Sequence, residues 1–490
     1  MKGCIKVLSD NEIYQIHLAS LRILREIGLK IREPQAVSLL KKAGCLIDGD
    51  RVRIPSRLVE ESVAQAPSTF TIYGRNPEFK AVMEGTRVYI EPMIGRLNIL
   101  DLETGQRRRT TLEDVANLIK LTDALEYYST LHSGAIMPHI EGIPDPVAHV
   151  HGYLTSLRNS SKIIKACCRG KKVAQDCIRM ATVVAGGEAN LAKKPNVFTT
   201  ANIISPLEYS NDMTEGLIEY AKHGLPVDIA SEPQMGATSP VTIAGTLAQQ
   251  TAEILGGVVI AQLVNPGTPV LMGTVGAAMD MRNGSIALGG IEAGIINVAH
   301  AQIAQFYGIP SRGSGCNTES KCLDMQAGLE KASSLFMPVL AGINMLFYPG
   351  TLDHAKTISL ESLLIDNEIC GMALRATKGV KVDDDTLAVD LIGKVGPGQH
   401  YLGQKHTMTH LIDEQYIPKI ANRQSYEDWQ RDGSKDLWQS AKEEVKRIIS
   451  THKPLTLPEG CENELLQIVR HVEKRELGKI LDQTNKEAKL

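Results

Sequence analysis

The chain has 490 residues, of which 43% are hydrophobic and 22% charged, and its net charge is -3. That length suits two or three ordinary domains or one large barrel with additions, and the near-neutral balance excludes bulk attraction to nucleic acid. The nine cysteines do not form a disulfide-framework pattern, no apolar stretch near the N-terminus resembles a signal peptide, and no uninterrupted apolar run reaches membrane-spanning length, so a cytoplasmic location is expected.

Residues 9–28 carry an apolar stripe at helical spacing, capped by Ser9 or Asp10 and ended by Gly28. A second helix starts at Pro34 and stops near Gly44. Residues 45–54 read as a hairpin around Asp48-Gly49-Asp50, and 56–66 as a short helix. Alternating strands follow at 69–73, 86–91 and 97–102, which makes 1–105 an α+β cap. The Arg107-Arg108-Arg109 run reads as a solvated face.

From 111 the texture changes. Helices at 111–124, 149–159, 173–185, 241–263, 290–307 and 326–340 alternate with strands within 129–137 (ending in Pro138-His139) and at 162–167, 196–204, 227–231, 270–274, 309–314 and 343–348. Gly224-Leu225-Pro226, Gly267-Thr268-Pro269 and Gly308-Ile309-Pro310 recur at intervals of roughly 40 residues, each closing a helix and opening a strand. Such units in series predict an α/β fold, a (β/α)8 TIM barrel over 106–395, with an eighth strand expected after Gly379. An open doubly wound sheet is the alternative, but no strand is followed by G-x-G-x-x-G. Residues 396–490 form a C-terminal wrap and helical tail, expected to cover the barrel or support self-association into a homo-oligomer.

Active sites of such barrels lie at the C-terminal ends of the strands. Polar residues there include Ser205, Glu208 and Tyr209; Ser231 and Glu232; Asp280 and Arg282; Arg312, Asn317 and Glu319; and Tyr348, Asp353 and His354. Individually each could equally be a solvated loop residue; five successive polar loops at one end favour a shared site. His149/His151, Cys167-Cys168 and His400/His406/His410 match no standard zinc spacing, so no metal is expected.

Several longer phrases are distinctive: ILREIGLKIREPQAVSLLKKAGCLIDGDRVRIPSRLVEESVAQAP followed by YGRNP; IPSRGSGCNTESKCLDMQAGLEKA, with Asp324-Met325-Gln326-Ala327-Gly328; LESLLIDNEICGM, with Glu361 and Glu368; and VGPGQHYLGQKHTMTHL followed by YEDWQRDGSKD. Together they resemble the trimethylamine methyltransferase family over almost the whole chain. The resemblance implies transfer of a methyl group from a methylated amine to the cobalt of a separate corrinoid protein. Founding members of that family carry pyrrolysine in the barrel mouth. This chain has only standard residues, and so resembles the branch that demethylates quaternary amines such as glycine betaine, proline betaine or carnitine.

Chemistry agrees with that division. A quaternary ammonium has no lone pair with which to add to a pyrrolysine ring, and its leaving group is already a neutral tertiary amine. No residue need act as general acid or base; the enzyme must orient the substrate and exclude water. Tyr89, Phe347 and Tyr348 are the candidates for cation–π contact with the ammonium, and Glu208, Glu232 or Glu361 for longer-range charge. Arg312, then Arg282, are the candidates to pair with a betaine carboxylate, with His354 hydrogen-bonding the same group. No corrinoid-binding Asp-x-His-x-x-Gly phrase is present, so no tightly bound cofactor is expected and the cobamide is expected to arrive on its partner. The other reading is a protein that binds a betaine without catalysis.

Overall fold

The computed structural model describes residues 5–95, 97–132 and 140–487. Its centre is an eight-stranded parallel sheet. In chain order the strands are β1 (Tyr89–Glu91), β2 (Thr130–His132), β3 (Ile163–Ala166), β4 (Val197–Ile203), β5 (Val227–Ser231), β6 (Val270–Thr274), β7 (Ser311–Ser314) and β8 (Met345–Phe347). Each pairs with its sequence neighbour from β2 to β8, and β8 then pairs with β1 in the register Met345↔Tyr89. The remaining seam is bridged where the Ser129 N–H donates to the Ile90 carbonyl at 3.0 Å.

A helix follows every strand. These are α1 (Leu112–Ala124), α2 (Asp145–Asn159), α3 (Lys171–Ala185), α4 (Asn211–Lys222), α5 (Ile243–Val264), α6 (Ile291–Tyr307), α7 (Met325–Ala341) and α8 (Leu360–Thr377). This is the expected (β/α)8 barrel, entered at a different place. The eighth strand expected after Gly379 is not used; Tyr89–Glu91, which the 1–105 division assigns to the cap, holds that position in the sheet. The Pro138-His139 end expected for the strand within 129–137, which is β2 here, lies outside the described residues.

The Gly-x-Pro phrases act as read from the sequence. Gly224, Gly267 and Gly308 have φ of 63°, 86° and 66°, a left-handed exit that glycine takes without steric cost. Each precedes a strand by a few residues, so these turns mark the bottom of the barrel.

The longest barrel helix, α5, is apolar enough by length and composition to cross a membrane, but 89% of its apolar window is buried within the protein. It is sandwiched between the sheet and the N-terminal helices; Ser20 on helix Asp10–Arg22 donates to the Ala248 carbonyl at 2.9 Å. Its hydrophobicity is that of a helix covered on all sides. The N-terminal strands Leu29–Ile31, Leu46–Asp48 and Arg51–Arg53 take up Glu208–Tyr209 as a fourth, parallel strand, which ties the cap to the β4–α4 loop. Arg107–Arg109 is an exposed strand in which Arg108 clamps Asp114 at 2.6 and 2.8 Å.

The C-terminal helices Leu437–Thr451 and Cys461–Glu487 lie on the outside of the barrel. The first buries Ala441, Val445 and Ile448, and the second is pinned where Arg475 donates to both oxygens of Asp176 at 3.0 and 2.6 Å.

Candidate active site

The odd-numbered strands of a barrel send inward-pointing residues into common layers. Here one layer is fully ionic: Glu91 from β1, Lys165 from β3, Asp228 from β5 and Arg312 from β7, all at most 1% exposed. Lys165 Nζ lies 2.9 and 3.1 Å from the two Glu91 oxygens. Arg312 Nη1 is 3.1 Å from Asp228 Oδ2, and its Nε is 4.0 Å from Glu91. Thr200 Oγ1 on β4 donates to Asp228 Oδ2 at 2.8 Å. Two cations face two carboxylates, so the layer has no formal net charge. Gly273 on β6 makes room for it, since a Cβ there would overlap Asp228 Oδ1.

Phe347 at the end of β8 sits against both cations. Its ring centroid is 3.9 Å from Arg312 Cζ and 4.4 Å from Lys165 Nζ, and the His132 ring stacks on it at 5.5 Å. Cations over an aromatic face in a desolvated setting gain on the order of 2 kcal/mol. The chain then turns sharply: Tyr348 has φ 113°, rare for a bulky side chain and the kind of local strain that collects at functional sites. That turn brings the Tyr348 ring to 4.1 Å from Phe347.

Above this layer opens a cavity of about 500 Å3 at the C-terminal end of the strands. Lys165, Arg312 and Phe347 contribute to its floor; Met93, His132, Thr200, Asn202, Glu232, Met213 and Tyr348 are on its walls, and Arg169, Ile204 and Asp212 reach its rim. Arg312 Nε and Nη1 are buried with no hydrogen-bond partner among the described residues, although Nη1 lies within ion-pair distance of Asp228. Both nitrogens belong to the charge layer, and the same side chain lines the cavity above it.

Of the nine residues given a substrate contact from the sequence, the structure brings Glu232, Arg312, Phe347 and Tyr348 together. The other five lie elsewhere. Tyr89 is at the opposite end of β1, where its hydroxyl accepts from the Val82 N–H at 2.9 Å. Glu208 is drawn into the cap by Lys30 at 2.8 Å and Arg32 at 3.4 Å. Arg282 is 89% exposed and folds back on Asp280 at 2.7 Å. His354 Nδ1 is 2.8 Å from the Ile286 carbonyl and 3.8 Å from Glu319, in a turn where Asp353, His354 and Ala355 all have positive φ. Glu361 accepts from Ser359 and from Trp438 of the C-terminal wrap, at 2.7 and 3.3 Å. Phe347 is also changed in role, since its ring is engaged by the protein's own cations.

Glu91, Lys165, Asp228 and His132 were missed by reading strand ends alone. A signal existed: each is a charged or titratable residue in a short, otherwise uncharged strand whose every position is buried, except that the first residue of β1 is half-buried. Such a residue is expensive unless it is paired.

Burial, reinforced by the Arg312 charge and opposed by Glu91 and Asp228, lowers Lys165 from the ordinary 10.5 to about 8. Between those values the unfolded chain holds a proton that the folded chain has released, so the contribution of this group to stability rises with pH from about 8 to about 10.5. Urea unfolding of the wild type and Lys165→Met between about pH 7 and 10 should therefore diverge, the wild type gaining relative stability as pH rises. Parallel curves would mean that the lysine titrates normally.

Comparison with known proteins places the chain in a family. The model of the trimethylamine methyltransferase (MTTB) family matches residues 2–478. The chain belongs to the trimethylamine methyltransferase family. It is 36% identical over 453 residues to a glycine betaine methyltransferase of Desulfitobacterium hafniense, spanning 92% of this chain and 94% of the relative. A trimethylamine methyltransferase MttB from another strain of that species is 36% identical over 467 residues, 95% and 93% of the two chains. MttB of Methanosarcina barkeri is 32% identical over 481 residues, 96% of each. The chain is thus a methyltransferase of this family, and the cavity at the barrel mouth is its candidate active site.

Proposed function

We infer that this methyltransferase takes its methyl group from a quaternary amine of the betaine class, glycine betaine first among them, and passes it to the Co(I) of a corrinoid carried by a separate protein. The observation that carries the substrate class is Arg312: a buried guanidinium that lines the cavity, stacked on Phe347 and sharing that cavity with Tyr348 and Glu232. A betaine offers the complementary pair, a carboxylate for Arg312 and a trimethylammonium for Tyr348 and Glu232. The relative named glycine betaine methyltransferase supports the same reading. So does the presence of only standard residues in a family whose founding members use pyrrolysine.

The neutral charge layer fits the reaction. The substrate loses its positive charge as the methyl group leaves, so a strongly anionic pocket would hold the ground state better than the transition state. Lys165 and Arg312 offset Glu91 and Asp228, leaving Glu232 and the Tyr348 ring to hold the ammonium only moderately. The leaving amine is neutral, and no side chain need donate a proton. The corrinoid supplies the nucleophile that accepts the methyl group. The cavity rim suits a docked partner, with the side chains of Arg169 and Asp212 50% and 45% exposed and Ile204 exposed at 51%.

The test is a methyl-transfer assay with a Co(I) corrinoid protein, following the loss of Co(I) absorbance. Glycine betaine should support transfer, and tetramethylammonium, lacking the carboxylate, should bind about ten-fold or more weakly. Transfer from trimethylamine alone would sink the betaine assignment. Tight betaine binding with no cobalt methylation would favour a non-catalytic binding protein.

A further inference from the structure

Residues 379–440 contain no buried side chain. Four short helices lie there, Asp384–Leu387, Val389–Val395, Lys405–Glu414 and Tyr426–Arg431, and none has a buried residue. Val380, Val382, Val389, Leu402, Met408 and Ile412 are all exposed. A stretch that builds no core of its own needs another source of order, and in small units that source is often a metal.

The structure offers the ligands. His406 and His410 are one helical turn apart, with ring centroids 4.3 Å from each other. Asp385 faces them from the neighbouring helix. Its Oδ2 is 3.1 Å from His410 Nε2, and its carbonyl oxygen is 2.9 Å from His406 Nε2. One ligating atom from each of the three side chains lies within 4.8 Å of the other two. None of the three lines the barrel cavity.

We propose that Asp385, His406 and His410 form a binding site for a zinc-class divalent transition metal, which clips helix Asp384–Leu387 to helix Lys405–Glu414. Two imidazoles four residues apart with one carboxylate are a ligand set this class of ion takes, whereas calcium and magnesium prefer all-oxygen sites. Bonds of about 2.0–2.1 Å in tetrahedral geometry place ligand atoms about 3.3 Å apart. The His410–Asp385 edge already has nearly that length. His406 must only turn its Nε2 from the Asp385 carbonyl towards the carboxylate, exchanging one hydrogen bond for a metal bond. Water completes the coordination on the exposed side. The histidine and cysteine spacings, from which no metal is expected, do not reveal this set because Asp385 is supplied by a different helix.

The full-length chain, stripped with chelator and desalted, would be titrated with Zn2+ by calorimetry and with Co2+ by visible absorption. The expected result is a single saturable site per chain, a tetrahedral Co2+ spectrum, and zinc-dependent slowing of hydrogen exchange over residues 381–414. His406→Ala and Asp385→Asn should each weaken binding by at least about ten-fold and remove that protection. Their side chains are on the surface, so both variants should melt like the metal-free wild type. The proposal is overturned if the wild type shows no saturable site, or if both variants bind zinc as tightly as the wild type.

Discussion

Asp228→Ala should destabilise the protein by about 3–5 kcal/mol, because it strands a cation inside the barrel. Arg312 would lose the carboxylate 3.1 Å from its Nη1 and keep only Glu91, 4.0 Å from its Nε. Two buried positive charges would then face one negative charge, and Thr200 would lose its acceptor. Urea unfolding reads the loss. Combining Asp228→Ala with Arg312→Met should restore much of the stability, since the cost comes from the uncompensated charge more than from lost attraction. A double variant as unstable as the single one would show that packing, and not charge balance, sets the effect.

Phe347→Ala should cost a similar amount, about 3–5 kcal/mol, for a buried aromatic truncated between the charge layer and the cavity. The ring packs against Arg312, Lys165, His132 and Tyr348. Phe347→Leu retains much of the volume and removes the π face, so it should lose only the cation–π share, on the order of 2 kcal/mol. Tyr348→Ala should behave differently. Its ring is further towards the mouth, and its loss should raise KM for the betaine about ten-fold or more while lowering stability less than Phe347→Ala does. Steady-state kinetics beside urea unfolding separates the two roles. Equal effects of both substitutions on KM and on stability would contradict the division.

Much of the barrel was legible because its punctuation is local. Gly224, Gly267 and Gly308 announce helix ends by their own chemistry, and a buried strand begins three residues after each of them. The first strand was not legible as part of the barrel. Tyr89–Glu91 is three residues long and follows hairpin strands Phe70–Tyr73 and Lys80–Met83, so its neighbours suggest the cap. What assigns it to the barrel is a partner at Met345–Phe347, which no local pattern reports. The site divides in the same way. Arg312, Phe347, Tyr348 and Glu232 were found because strand ends point to a mouth. Arg282 and His354 also follow strands but are turned away by hairpin and turn geometry, Arg282 onto Asp280 and His354 onto the Ile286 carbonyl. Glu208 was lost to the cap because a two-residue strand pairs it beside Lys30.

Joining the first barrel strand to the last has a consequence for the life of the chain before it works. Tyr89 and Met345 are roughly 250 residues apart, and such distant pairing is slow and leaves strand edges exposed in the interim. Glu91 emerges from the ribosome well before Lys165, and much earlier than Arg312. During synthesis its carboxylate must wait in water for its partners, and the ionic layer can assemble only once the closing strand has been made. The nascent protein therefore passes through a stage in which its helices can form while its reaction chamber does not yet exist.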